Sequence, residues 1–336
     1  MVRKIIFADS FHLTEEAKQE ISSLGTIVSL SLHQRGQLLL ESENADIIVA
    51  EYAVINEELI ERAKNLKGIV VYGVGVDHVN LNAASKRGIP VGNCRGGNAE
   101  AVAELALSLM LECIRWTGRA NEYVRSGKWK FADSAYLPTW VMGREMKGKK
   151  LGIVGAGAIG TRIGELAEAF GMTVCVTLGR KKSHPRFPWL PLEELLPRSD
   201  IVSINVPLVP ETRGLFSREL FPLMKEGSIL IVTSRGGIVD EVALAEALLS
   251  GRIAGAGLDV FAREPIPQNS PLFSVPNIVL TPHMGGSTEE AVSNISNIVV
   301  ECCKRLLEGK LPITTVNLEL LQQYGYYSEY AEKSVL

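Results

Sequence analysis

The sequence predicts an α/β chain built from two doubly wound parallel sheets. Short apolar runs alternate with amphipathic stretches twice over, first from Lys4 to about Asp77 and again from Lys149 to Leu280. The chain has 336 residues, beyond the length at which a single hydrophobic core keeps growing, so two domains are expected. A glycine-rich hexapeptide directly follows the first apolar run of the second series.

Each element has a local reason. Lys4 to Ala8 reads as a strand, and Thr14 to Leu24 as a helix stopped by Gly25. A second apolar run, Asp46 to Ala50, precedes a helix from Asn56 to Asn65, and Gly68 to Tyr72 is a third run leading into Gly73-Val74-Gly75-Val76-Asp77. Asn98 to about Arg125 reads as one long helix, because Ala99 to Leu111 is rich in Ala, Leu and Glu. Residues 130 to 147 read as irregular. In the second series, strands are expected at Leu151–Val154, Thr173–Leu178, Asp200–Val206, Ser228–Val232, Ala254–Val260 and Ile278–Leu280. Ile159, Ile163, Leu166, Ala167 and Phe170 recur at helical spacing up to Gly171, and Asp240 reads as the N-cap of a helix running to Gly251. Ser287 and Glu290 fit a capping box opening a helix that ends at Gly309. Residues 318 to 336 read as a tail or a small surface element.

Composition narrows the function classes. Hydrophobic residues at 46% and charged residues at 22% place the chain among ordinary globular proteins. The net charge is -3 with both signs mixed, and no basic stripe appears, which argues against nucleic acid as the main ligand. Five cysteines without a spacing pattern argue against a disulfide framework, and no metal-ligand spacing joins them to the histidines. The apolar run before Asp9 is too short for a signal-peptide core, and no stretch has membrane-spanning length. A reducing, cytoplasmic setting is therefore expected, without membrane or nucleic-acid partners.

Gly155-Ala156-Gly157-Ala158-Ile159-Gly160 is G-x-G-x-x-G. Alone the hexapeptide says little, but here it follows a strand and opens an amphipathic helix, the context for binding a dinucleotide pyrophosphate. Gly143 to Lys149 spells most of a phosphate-binding P-loop, yet Lys150 stands where Ser or Thr is needed and the segment precedes a strand instead of following one. An NAD site usually places an acid about 20 residues beyond the glycine loop. The expected strand instead ends in Leu178-Gly179-Arg180-Lys181-Lys182, which predicts NADP(H) in preference to NAD(H), with Arg180 the main 2′-phosphate contact and Lys181 the second.

With these motifs in view, residues 45 to 317 resemble the D-isomer-specific 2-hydroxyacid dehydrogenases, a group that includes glyoxylate/hydroxypyruvate reductases and phosphoglycerate dehydrogenases. The resemblance rests on Gly73-Val74-Gly75-Val76-Asp77, the glycine loop and Pro207-Leu208-Val209-Pro210-Glu211-Thr212-Arg213-Gly214, in the family's order. Further along come Ser234-Arg235-Gly236-Gly237-Ile238-Val239-Asp240-Glu241, Leu258-Asp259-Val260-Phe261 to Glu264-Pro265, and Thr281-Pro282-His283-Met284-Gly285-Gly286. It implies a catalytic triad of Arg235, Glu264 and His283. A histidine is a suitable proton donor to a carbonyl oxygen near neutral pH. A carboxylate bonded to it stabilises the imidazolium, and an arginine offers a planar fork to the substrate carboxylate.

The resemblance also implies that Val206, Pro207, Thr212, Thr233 and Ser234 line the cofactor cleft with Arg235, His283, Gly285 and Gly286, and that Asp259 lies near the nicotinamide carboxamide. The backbone of Val74, Gly75 and Val76 is expected to hold the substrate carboxylate, and Arg95 to meet a second substrate anion or else to be a surface charge. A Rossmann cofactor domain, 98–287, is expected to interrupt a flavodoxin-like substrate domain made of 1–97 and 288–317, with 318–336 a C-terminal tail. Hinge closure and a homodimer packed through the cofactor domain are further expectations. The expected activity is reduction of a small 2-keto acid, glyoxylate or hydroxypyruvate first, to the D-2-hydroxy acid. Alternatives are a 3-phosphoglycerate dehydrogenase-like enzyme and a non-enzymatic dinucleotide sensor of the same fold. A methyltransferase and an enzyme oxidising formate or phosphite are further rivals.

Overall fold

The computed structural model describes residues 3–131, 134–177 and 183–330. Contacts divide the chain into two compact units, Met1–Asn98 with Gly286–Leu336, and Ala99–Gly285.

The first unit begins with β1 (Lys4–Phe7), α1 (Glu15–Leu24), β2 (Thr26–Ser29), α2 (Arg35–Ser42), β3 (Ile47–Ala50), α3 (Glu57–Arg62), β4 (Gly68–Val71), α4 (Leu81–Lys86) and β5 (Val91–Asn93). All five strands are parallel, in the order β2-β1-β3-β4-β5, which is the flavodoxin-like arrangement. Every residue of β3 and β4 is buried, as expected where helices cover both faces of a parallel sheet. Helix starts follow the polar caps: Thr14, Asn56 and Asn80 accept hydrogen bonds from the N–H of Ala17, Leu59 and Ala83. β2, α2, α4 and β5 are not anticipated by the sequence pattern. β2 is an edge strand with exposed ends and no apolar run, α2 has no side-chain cap, and β5 is three residues long with a glycine at its centre.

The second unit opens with α5 (Ala99–Arg115) and α6 (Thr117–Arg125). The single helix expected here breaks at Trp116, whose φ of 53° is left-handed. Glu112 favours the break, since its carboxylate accepts from the Thr117 hydroxyl and, at 2.9 Å, from the Gly118 N–H that starts the new helix. Next come β6 (Lys150–Val154), α7 (Ala158–Ala169), β7 (Thr173–Thr177), α8 (Leu192–Leu195), β8 (Ile201–Ile204), β9 (Ser228–Val232), α9 (Glu241–Leu249), β10 (Ile253–Leu258) and β11 (Ile278–Leu280). The sheet order is β11-β10-β9-β8-β6-β7, all parallel, and Trp189 bridges to Val176 of β7. The winding reverses between β6 and β8, so the glycine loop leaves β6 at the topological switch point, where doubly wound sheets bind ligands.

The chain returns to the first unit through α10 (Glu289–Leu307) and α11 (Leu318–Gln323). The capping box expected from Ser287 and Glu290 does not form. The cap is Thr288, whose hydroxyl accepts from the Ala291 N–H at 3.1 Å. That leaves Glu290 at the second helical position, one residue short of the geometry a capping box needs. Part of segment 318–336 is an ordered surface element. Leu321 is buried, the Tyr324 hydroxyl lies 2.7 Å from Asn82 Oδ1, and the Tyr326 ring packs where a Cβ on Gly88 would sit. Just before α11, buried Asn317 bonds the Val91 N–H, the Ile89 carbonyl and the Ser85 hydroxyl. Among the described residues, no helix is long and apolar enough to cross a membrane. The five cysteines carry free thiols, and burial pushes those of Cys94 and Cys113 up to about 12.

Candidate active site

In the second unit the expected cofactor and catalytic residues follow the carboxyl ends of successive strands: the glycine loop after β6, Val206 and Pro207 after β8, Thr233 to Arg235 after β9, Asp259 after β10 and His283 after β11. The three glycines have different physical reasons. Gly155 has φ 95°, and a Cβ there would lie 2.9 Å from the Asn205 backbone. A Cβ on Gly160 would approach the Gly155 carbonyl oxygen to 2.2 Å, so that glycine is fixed by helix-on-strand packing. A Cβ on Gly157 would meet nothing within 4 Å. Internal packing therefore does not explain Gly157, whereas close approach of a pyrophosphate does.

Gly157 also caps α7 without a side-chain bond, unlike Thr14, Asn56, Asp240 and Thr288 at their helices. The first turn of α7, which contains Ala158, Ile159 and Gly160, thus presents backbone N–H groups and the positive end of the helix dipole to an anion. Among the described residues, the buried Oγ1 atoms of Thr177 and Thr233 and the Ser234 Oγ lack hydrogen-bond partners. All three sit at or just beyond the carboxyl ends of β7 and β9, and these donor atoms suit a polar dinucleotide. Thr212, expected beside the cofactor, uses its hydroxyl within its own turn, accepting from the Val209 N–H at 2.9 Å and donating to the Pro207 carbonyl at 2.5 Å. Arg180 and Lys181 lie outside the described residues.

His283 and Glu264 are in direct contact, with Nδ1 to Oε2 at 2.6 Å. The other carboxylate oxygen of Glu264 accepts from the Phe261 N–H at 2.9 Å. Burial opposes ionisation of Glu264, but the bonds from His283 and Phe261 and the positive charge of Arg235 outweigh it and hold the carboxyl below its usual range. Arg235 is half-buried in the loop after β9, with Nη1 bonded to the Ser234 carbonyl at 2.8 Å. Gly236 beside it is obligatory, since a Cβ there would fall 1.8 Å from the Phe261 backbone. That close approach brings the loop carrying Arg235 against the loop carrying Glu264.

His283 has φ 52°, a left-handed conformation that costs a non-glycine residue free energy and is found where surrounding structure enforces it. The enforcing group is Asp259, which is 1% exposed. Its carboxylate accepts from the Thr281 hydroxyl at 2.7 Å and from the N–H groups of Met284 and Gly285 at 2.9 Å each. The expectation for Asp259, a place near the nicotinamide, did not include this clamp, because nothing in the spacing of residues 259 and 285 signals it.

In the first unit, Val74, Gly75 and Val76 follow β4 and Arg95 follows β5, so all four lie at the carboxyl edge of that sheet. Val74 to Val76 are half-buried and Arg95 is exposed. Gly286 falls in this unit, where a Cβ would lie 3.2 Å from Asn98 Nδ2.

Comparison with known proteins agrees with this geometry. Residues 107–285 match the family model described as D-isomer specific 2-hydroxyacid dehydrogenase, NAD binding domain. A glyoxylate reductase of Thermococcus litoralis is 39% identical over 292 residues, covering 85% of this chain and 88% of that protein. A D-3-phosphoglycerate dehydrogenase of Methanocaldococcus jannaschii is 35% identical over 335 residues, covering 95% of this chain and 60% of that protein. Among solved structures, an NADPH-dependent glyoxylate/hydroxypyruvate reductase of Sinorhizobium meliloti, in complex with NADP and malonate, has a TM-score of 0.84 at 26% identity, covering 94% of this chain and 97% of that one. The chain therefore belongs to the D-isomer-specific 2-hydroxyacid dehydrogenase family and is an NAD(P)-dependent oxidoreductase.

Proposed function

We propose that this chain reduces glyoxylate and hydroxypyruvate to the D-2-hydroxy acids, with NADPH preferred over NADH. The observation that carries the chemistry is the His283–Glu264 bond of 2.6 Å in the loops that also bring up Arg235. The cofactor supplies a hydride to the carbonyl carbon. His283 gives the carbonyl oxygen its proton, so that C=O becomes CH–OH. Glu264 stays ionised and stabilises the imidazolium before transfer. Arg235 receives the substrate carboxylate in its planar fork and polarises the carbonyl. In the first unit, Val74, Gly75 and Val76 offer backbone N–H groups to a carboxylate.

The substrate choice is supported by the higher identity to the glyoxylate reductase, 39%, than to the phosphoglycerate dehydrogenase, 35%, of which this chain spans only 60%. The cofactor choice is supported by the three cations Arg180, Lys181 and Lys182, where an NAD site would carry an acid. A homodimer in a cytoplasmic setting completes the reading. No residue of α6 is buried, and the segment after it exposes Trp129, Phe131, Tyr136 and Met142, an apolar surface suited to a second copy.

Initial rates on glyoxylate, hydroxypyruvate, pyruvate and 3-phosphohydroxypyruvate, each with NADPH and NADH, test the proposal. Fastest turnover of the first two with NADPH is the expected result. A preference for the phosphorylated acid would transfer the assignment to the phosphoglycerate branch and give Arg95 a phosphate to bind. Arg180→Ala should raise the KM for NADPH more than that for NADH; equal effects on both would remove the argument for NADPH.

A further inference from the structure

We propose that Asn93 is a positioning residue for substrate binding: through the Val74 carbonyl it aims the backbone N–H that receives the substrate carboxylate. The inference rests on the reading of Val74 to Val76 as the carboxylate cradle and adds the residue that sets its geometry.

Asn93 is the last residue of β5 and is 4% exposed. Its Nδ2 donates to the Val74 carbonyl at 2.7 Å. The next residue, Cys94, donates its backbone N–H to the Gly73 carbonyl, also at 2.7 Å. A trans peptide is planar, with its C=O and N–H pointing in opposite directions. Fixing the Gly73 carbonyl therefore fixes the N–H of Val74, and fixing the Val74 carbonyl fixes the N–H of Gly75. Both carbonyls face the end of β5, so both N–H groups are turned away from it. Two successive N–H groups held in this manner make a concave donor site for an anion. Among the described residues, neither N–H has a protein acceptor, and Val74 and Gly75 are half-buried. Donors in that position are costly to leave unpaired and so favour an incoming oxygen.

The chemistry at Asn93 is matched to this task. A carbonyl oxygen accepts only, so the group opposite Val74 must donate, which Asn does and Asp does not. The other side of the amide, Oδ1, is buried without a partner among the described residues. An unpaired buried acceptor destabilises the fold, so stability alone does not account for an amide at this position. The residue itself is anchored, its N–H donating to the Thr314 carbonyl at 3.3 Å and its carbonyl accepting from the Thr314 hydroxyl. A bond from Nδ2 to Val74 also polarises that peptide and strengthens its N–H as a donor.

The test is steady-state kinetics on the full-length protein with Asn93→Ala and Asn93→Asp, using glyoxylate as substrate and oxalate as competitive inhibitor. Loss of one oriented donor to a carboxylate should raise the KM for glyoxylate and the Ki for oxalate together by about 10-fold. The kcat at saturation and the KM for NADPH should stay within about twofold, a split that a merely structural role would not produce. Asn93→Asp should have the larger effect, because its carboxylate repels both the Val74 oxygen and the substrate. If one of the pair fails to fold, the other gives the same reading. A fall in kcat at constant KM, or no change in any constant, overturns the role of Asn93. Gly75→Pro deletes one of the two N–H groups outright and separates the failures; Val74→Pro deletes the other should the first not fold. Unchanged KM in that variant refutes the cradle, whereas a raised KM there beside an inert Asn93→Ala refutes only the positioning role.

Discussion

Replacing Glu264 by Gln removes a charge and almost no volume, so it isolates the carboxylate's contribution to the proton donor. In the wild type, Oε2 receives His283 Nδ1 at 2.6 Å and Oε1 receives the Phe261 N–H at 2.9 Å. Gln keeps the second bond by leaving its carbonyl oxygen toward Phe261. Its NH₂ group then faces Nδ1, and two donors cannot share one bond, so the imidazolium is disfavoured. A hydrogen bond to a charged group contributes roughly 1.5–3 kcal/mol. The two side chains are 26% and 32% exposed, so solvent screening brings the expected loss to about 2 kcal/mol, or roughly 30-fold in kcat/KM near neutral pH. The assay is kcat/KM for glyoxylate across pH with NADPH saturating. The kcat/KM should fall, and its pH profile should lose the dependence that the ionised Glu264 imposes. Stability should move as well. Glu264 is held below its usual value of 4.5, so its ionised form favours the folded state above that pH and the contribution fades as pH falls below it. The Gln variant lacks that pH-dependent gain. Wild-type turnover with an unshifted pH profile would refute the assignment of Glu264 to the proton donor.

Two further predictions separate binding from packing. Arg235→Lys keeps the charge but loses the planar fork, and should raise the glyoxylate KM by about 10-fold or more while NADPH binding is retained; an unchanged KM would place the substrate carboxylate elsewhere. Gly157→Ala meets open space and should melt like wild type yet bind NADPH more weakly. Gly160→Ala drives a Cβ onto the Gly155 carbonyl and should cost about 1–3 kcal/mol of stability by thermal melting. Equal melting of the two variants would contradict the distinction between cofactor and packing glycines.

The parallel sheets were legible because strands buried on both faces are continuous apolar runs, as Ile47–Ala50 is and as β9 is after its first residue, Ser228. The glycine loop was legible because its chemistry is local: turn, close approach and helix start fall within six residues. The grouping of Arg235, Glu264 and His283 was not legible from spacing alone, since His283 lies 48 positions beyond Arg235 and only the family resemblance joined them. Other features depended on contacts the local pattern does not carry. Glu112 decides where the long helix breaks, and the extended backbone at Thr288 displaces the expected cap by one residue. Asp9 shows the same limit on the other sheet, its buried carboxylate collecting the N–H groups of Glu51, Tyr52 and Ala53 from beyond β3. Asn93 was missed because β5 itself was missed.

On the proposed chemistry, His283 protonates the 2-keto acid. The most direct measurement is single-turnover reduction of glyoxylate by NADPH-loaded wild type and by His283→Ala, with NADPH binding followed separately by fluorescence. Rapid oxidation of bound NADPH is expected in the wild type, and the variant should bind NADPH equally well but react on the order of 10²-fold more slowly or worse. Equal single-turnover rates would contradict the role of His283, and no reaction by either protein would contradict the assigned chemistry.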